Sequence, residues 1–181
     1  RDYNMVGNRN SVYPDLPLVQ DGVACAALVL AENPTEKARL AATDLCDTIE
    51  KMSGARLPLI SAGTAFEGTR ILVGESRETV ALGYPAPHGY PENERVILCR
   101  KENCLIVLGN DDGVFTGTQF AATMLLEKLG CGWYGLEELW QVIPQKKTLS
   151  VGYLNINQTP RFTYRQTHVS RRNRDLALRW Y

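Results

Sequence analysis

Two apolar stripes of helical period, each set among apolar runs of strand length, constrain this chain more than any other feature. In the first stripe Ala38, Ala41, Ala42, Leu45, Ile49 and Met52 recur at i, i+3, i+4, i+7, i+11 and i+14. That spacing places them on one face of an α-helix. Asn33 is a candidate N-cap and Pro34 suits a first helical position. Gly54 stands where a C-terminal cap belongs. The second stripe is Phe120, Ala121, Met124, Leu125 and Leu129, within a helix expected from about Val114 to Leu129 and closed by Gly130. A helix with one apolar face must bury it, and the runs between the stripes supply the surface.

Those runs read as strands. Val23–Leu30 is a continuous apolar segment of buried-strand type. Leu57–Ile60 is shorter, and Pro58 confines it to an edge or a strand start. Ile71–Val73 ends at Gly74, and Glu75–Leu82 is a short helix. Residues 83–93 hold three prolines and two glycines and form a loop. Arg95–Arg100 and Leu105–Leu108 flank Lys101-Glu102-Asn103, which predicts a hairpin. Thr148–Val151 is a further strand. The expected fold class is therefore α/β (α+β), a mixed β-sheet with helices packed on it, in two or three layers. Residues 1–22 are expected to be an N-terminal extension that wraps the surface or adds an edge strand. Residues 23–158 form the α/β domain, and 159–181 begin another unit.

Composition narrows the function classes. The chain has 181 residues, 44% of them apolar, enough for a core without metal or disulfide staples. Its formal net charge is zero, so no basic face points to nucleic acid. No apolar run nears the ~20 residues that span a bilayer. The chain opens on Arg1, which reads as processed or as cut from something longer, and no signal peptide is visible. Five cysteines leave at least one free thiol, and none lies in a C-x-x-C pair. With only His88 and His168 beside them, no metal site and no cofactor are expected. Cys99 and Cys104 flank the hairpin turn. A bridge between them is conceivable, although buried free thiols are the commoner arrangement.

Several segments have a chemical reading and a plain one. Gly74 and the Gly109-Asn110-Asp111-Asp112-Gly113 turn follow strands, as phosphate-binding turns do. Neither G-x-G-x-x-G nor G-x-x-x-x-G-K-[ST] is present. Two carboxylates in the second turn would repel a phosphate, so a solvated turn in which Asp111 or Asp112 caps the next helix is expected. H-E-x-x-H and G-x-S-x-G are absent. His88 lies in a Pro/Gly loop with no partner flanking it in the sequence and is expected on the surface. Trp133, Tyr134 and Trp140 either stack on sugar rings or plug the core or a domain junction. After Pro160 the alternation Phe162–Thr167 suggests a strand. A basic stretch with Arg171, Arg172 and Arg174 follows, and then a helix start at 175–181. That is the first unit of a βα series, and the basic stretch is either a solvated loop or an active-site loop at the top of a barrel strand.

One family resemblance gathers these segments. Ala41–Leu45, Ile49–Pro58 and Ile71–Ser76 match its first half. Leu105–Phe115 with Gly117, and Leu126–Tyr134, match its second. Together they resemble the N-terminal accessory domain of bacterial α-glucuronidases and β-N-acetylhexosaminidases, and are most similar to a related group of secreted glycosidase-like proteins. The likeness covers roughly residues 23–165. It implies a zincin-like α/β sandwich without a metal site, a secreted or periplasmic location, and a catalytic (β/α)₈ barrel downstream. Pro160-Arg161-Phe162 with Arg165 matches the hexosaminidase stretch Pro-Arg-Phe-x-x-Arg-Gly, whose second arginine binds the sugar. Arg165 is thus the implied substrate-binding residue, in the context of a full barrel. Gln166 replaces the glycine, and Ser170 stands where an aspartate is expected. A barrel takes about 250 residues, and about 20 follow Pro160. That remnant holds one acidic residue, Asp175, whereas glycoside hydrolysis uses a carboxylate pair. The expectation is a non-catalytic accessory domain of a carbohydrate-processing enzyme. An independent carbohydrate-binding module and a small nucleotide-binding enzyme are the alternatives.

Overall fold

A computed structural model describes residues 14–135 and 138–160. The described strands are β1 (Leu16–Gln20), β2 (Val23–Ala24), β3 (Ala26–Leu30), β4 (Leu59–Ser61), β5 (Thr69–Val73), β6 (Val96–Lys101), β7 (Cys104–Gly109), β8 (Gly132–Trp133), β9 (Gln141–Val142), β10 (Leu149–Val151) and β11 (Asn155–Gln158). The helices are α1 (Glu36–Ser53), α2 (Arg77–Ala81) and α3 (Gly117–Leu129). Six strands form a mixed sheet in the order β11-β6-β7-β5-β3-β4. Within it β4, β3, β5 and β7 run parallel, while β6 is antiparallel to both its neighbours. The fold is therefore α/β with a mixed sheet and helices packed on it, as expected.

The alternation of side chains along each strand divides the core in two. Leu28, Ile71, Val73, Leu98, Leu105 and Val107 point to the face that carries α1 and α3. Val29, Leu72, Ile97, Ile106 and Leu108 point to the other face, where Leu82, Tyr84 and Ala86 pack just past α2. All six residues of the α1 stripe are buried. In α3, Ala121, Leu125 and Leu129 are buried, and Phe120 and Met124 are half-buried against the same core. Full burial of a leucine, isoleucine or methionine contributes about 1.5–3 kcal/mol, and Leu45, Ile49, Met52, Leu125 and Leu129 are each buried in this way.

The helix ends differ from expectation in two places. The α1 cap is Thr35, not Asn33: its hydroxyl accepts from the Ala38 amide at 3.1 Å, leaving Pro34 outside the helix. α3 starts at Gly117 rather than Val114. The intervening residues are held in a turn by contacts from α1, described below. Gly54 and Gly130 close α1 and α3 in left-handed conformations, as their positions implied.

Val23–Leu30 is not one strand. It divides at Cys25, whose amide donates to Leu18 and whose carbonyl accepts from Thr69. β2 thereby joins β1 and β10 in a three-stranded antiparallel sheet, while β3 enters the large one. In that small sheet β1 is the middle strand, not an edge, and Leu18 and Val19 are fully buried. β4 does lie at a sheet edge, in keeping with Pro58. The segment before β10 ties down the C-terminal ends of both long helices. The Lys146 amide donates to Met52, and its Nζ donates to Leu129. A cation suits that end of a helix.

Candidate functional site

The three aromatic residues singled out in the sequence come together, but in two roles. Once Gly130 has ended α3, the chain forms a small ribbon: Gly132 pairs with Val142, and Trp133 with Gln141. The Tyr134 amide donates to Trp140 at 2.9 Å. Trp133 is half-buried and packs against the main core. Tyr134 and Trp140 are 73% and 54% exposed, and Leu139 and Val142 beside them are 86% and 48% exposed. The ribbon thus presents two aromatic rings and two aliphatic side chains to solvent. Isolated exposed apolar residues are ordinary, whereas several on one small element mark an interaction surface. Leu139 and Val142 were not anticipated: both flank Trp140 in the sequence, but their exposure is set by the folded arrangement of this segment. Arg165 and the rest of the 161–181 segment lie outside the described residues.

A concave feature sits elsewhere, at the C-terminal ends of the parallel strands, the usual ligand position in open α/β sheets. The loops after β3, β4 and β5 contribute Glu32, Asn33, Gly63 and Ser76, and the start of α2 contributes Arg77 and Glu78, to an open cleft of about 580 Å³. Two of these side chains are already engaged. Ser76 forms a reciprocal capping box with Thr79, and Glu78 pairs with Arg70.

Several amides of the glycine turns are already engaged within the fold. The Gly74 amide donates to Val107 within the sheet. A Cβ on Gly74 would stand 2.7 Å from the Ala38 methyl, so this glycine lets β5 pass close to α1. In the second turn the Asn110 amide donates to Arg95, and the Asp112 amide to the Asn110 side chain. The amide of Thr118 in the first turn of α3 donates to Asp111 Oδ1 at 3.0 Å. Asp111 therefore occupies the helix start where an anion would sit, and it fulfils the expected capping role.

That turn is less solvated than its composition suggested. Asn110 is fully buried, and burial pushes the Asp111 carboxyl above the usual range, against the lowering effect of its Thr118 hydrogen bonds and of Lys37. Asp112 faces outward and has a partner. Its Oδ1 lies 3.1 Å from His88 Nδ1, and its Oδ2 accepts from the Gly89 amide at 2.9 Å. His88 is exposed, as expected, but it is not unpartnered. The bond to Asp112 raises the histidine, while Gly89 and His88 lower the aspartate. Tyr90 stacks edge-on against Phe115 at 5.0 Å, and Ala86 donates to Glu75. The 83–93 loop is thereby fastened across this end of the sheet.

All five cysteines are free, so Cys99 and Cys104 do not form a bridge. Burial raises the thiols of Cys46, Cys99 and Cys104, which makes them weak nucleophiles. Among the described residues no cluster of His, Cys, Asp or Glu could hold a metal ion. Among them, too, no helix is long and apolar enough to cross a membrane. Compared with known proteins, the chain matches no family model and no curated sequence.

Proposed function

We propose that this chain is a non-catalytic accessory domain of a secreted or periplasmic carbohydrate-processing enzyme. In this reading it packs against a downstream catalytic barrel through the β8–β9 ribbon. The observation that carries it is the exposure of Tyr134, Leu139, Trp140 and Val142 in β9 and the segment that joins it to β8. An accessory domain covered by a neighbour needs such an apolar surface, and its affinity would be concentrated in buried aromatic anchors. The mixed sheet with α1 and α3 on one face agrees with the hexosaminidase-type accessory fold that the motif order resembles. The engaged amides at Gly74 and Gly109 weigh against the nucleotide-binding alternative.

The test is enzymatic. The 181-residue chain and a version extended through the downstream coding frame are assayed on aryl glycosides. Hydrolysis by the extended protein and none by the shorter one is expected. Turnover by the 181 residues alone would refute the proposal.

One observation favours a second reading. Tyr134 and Trp140 both expose their rings and are joined by a backbone hydrogen bond beside the β8–β9 pairing, and exposed aromatic rings are what a carbohydrate-binding module uses. Calorimetry against oligosaccharides separates the two: saccharide binding that disappears in Trp140→Ala would favour the module.

A further inference from the structure

Lys37, the second residue of α1, reaches across to the turn between β7 and α3. Its ammonium donates to the carbonyl oxygens of Asp111 at 2.6 Å, Gly113 at 2.9 Å and Phe115 at 2.6 Å. An ammonium has three donors and no acceptor, so these carbonyls satisfy it completely. They come from alternate residues of one turn and converge on one positive charge. The Asp111 carboxylate adds negative potential at the same place. Carbonyl oxygens arranged in this way replace the hydration shell of a cation. All three distances exceed the ~2.0–2.1 Å that magnesium demands and start where calcium's ~2.3–2.6 Å ends, and the group they hold carries a single charge, so the arrangement suits a monovalent ion about the size of an ammonium.

We propose that the 109–117 turn is a cradle for a large monovalent cation, potassium or a primary ammonium, and that Lys37 supplies that cation from within the chain. The turn takes its shape from the charge at its centre. Without it, three carbonyl dipoles would face one another with nothing to neutralise them. Removing the lysine should therefore leave a vacant site that a free ion of the same class can enter.

The experiment measures thermal unfolding of the wild type, Lys37→Ala and Lys37→Met in potassium, methylammonium, lithium and choline chlorides. Each salt is used at about 0.15 M, so that ordinary charge screening is equal. Lys37→Ala should melt lower than the wild type in choline, and potassium or methylammonium should restore at least half of the loss. Lithium should restore little. Lys37→Met should show no recovery, because its apolar stem fills the space, and the wild type should respond alike to all four salts. If Lys37→Ala is unfolded in choline, its refolding in potassium or methylammonium supports the cradle, and failure to refold in any salt overturns it. The idea is also overturned if Lys37→Ala is as stable as the wild type, if a folded, destabilised Lys37→Ala gains no more from potassium or methylammonium than from lithium, or if the methionine variant recovers as much as the alanine variant.

Discussion

Gly109 and Gly117 meet backbone to backbone where β7 gives way to α3. A Cβ on Gly109 would stand 2.5 Å from the carbonyl carbon of Gly117, and one on Gly117 would stand 2.6 Å from the Asn110 amide nitrogen. Neither atom is the flexible end of a side chain. Gly109→Ala and Gly117→Ala should therefore each destabilise the fold by roughly 1–3 kcal/mol, the usual cost of overpacking. Gly152→Ala is the control, since its new methyl would meet only the Asp15 carboxylate, at 3.2 Å. Denaturant midpoints measure all three. A Gly109→Ala midpoint equal to that of Gly152→Ala would mean that the close approach is unimportant.

Asp111 caps α3 from a distance in sequence, accepting from the Thr118 amide. Asp111→Ala should cost about 1 kcal/mol, as loss of an N-cap acceptor generally does. Asp111→Asn keeps an acceptor and removes a carboxylate that burial disfavours. It should lie nearer the wild type than alanine does. The wild-type carboxyl is raised in the folded chain, so its contribution makes folding more favourable as the pH falls through its folded pKa. Asp111→Asn should lack that acid-side gain. A chemical-denaturation series from about pH 3, below the ordinary aspartate value of ~3.9, up to about pH 7 would detect it.

The His88–Asp112 pair adds a second pH dependence, of the same sign as Asp111 for His88 and of the opposite sign for Asp112. His88 is raised in the folded chain, so the stability it adds is fully present below its unfolded pKa and is lost as pH rises through the folded value. Asp112 is lowered, so its share is present above the ordinary carboxylate range and is lost as pH falls through its folded value. The fastening of the 83–93 loop should be strongest between those limits. Both groups are exposed, so the effect on global stability is small and is best read locally. Amide exchange at Gly89 should quicken between about pH 6 and 8, where histidine titrates, beyond the intrinsic rise. In Asp112→Asn that extra component should vanish, and its persistence would show that another group titrates.

Much of the frame was legible because period and punctuation agree. The Ala38–Met52 stripe is a clean helical repeat, and each of its members is buried. The β6–β7 hairpin was marked by two apolar runs around a polar triplet. The failures share one cause: long-range partners decided the local outcome. Cys25 looks like the middle of an apolar strand, yet its amide and carbonyl bond to Leu18 and Thr69, and the strand divides there. Val114 looks like the start of α3, but Lys37, 74 residues earlier at its bond to Asp111, holds the carbonyls of the preceding turn. β11 carries the polar sequence Asn-Ile-Asn-Gln and is a strand because β6 offers it an edge. For the candidate site, Trp133, Tyr134 and Trp140 were visible as a cluster. Their division into one packed ring and two exposed ones was not, because it depends on which face of the ribbon meets the core.

The aromatic ribbon bears most directly on function. Hydroxyl-radical footprinting compares the oxidation rates of Tyr134 and Trp140 in the 181-residue chain with those in the chain extended through its downstream coding frame. If the ribbon is the seat of a neighbouring barrel, both rings should become several-fold less reactive in the extended protein, while Tyr153, 64% exposed in this chain, stays unchanged. Equal reactivity of Tyr134 and Trp140 in the two proteins would contradict an accessory domain that docks through this surface.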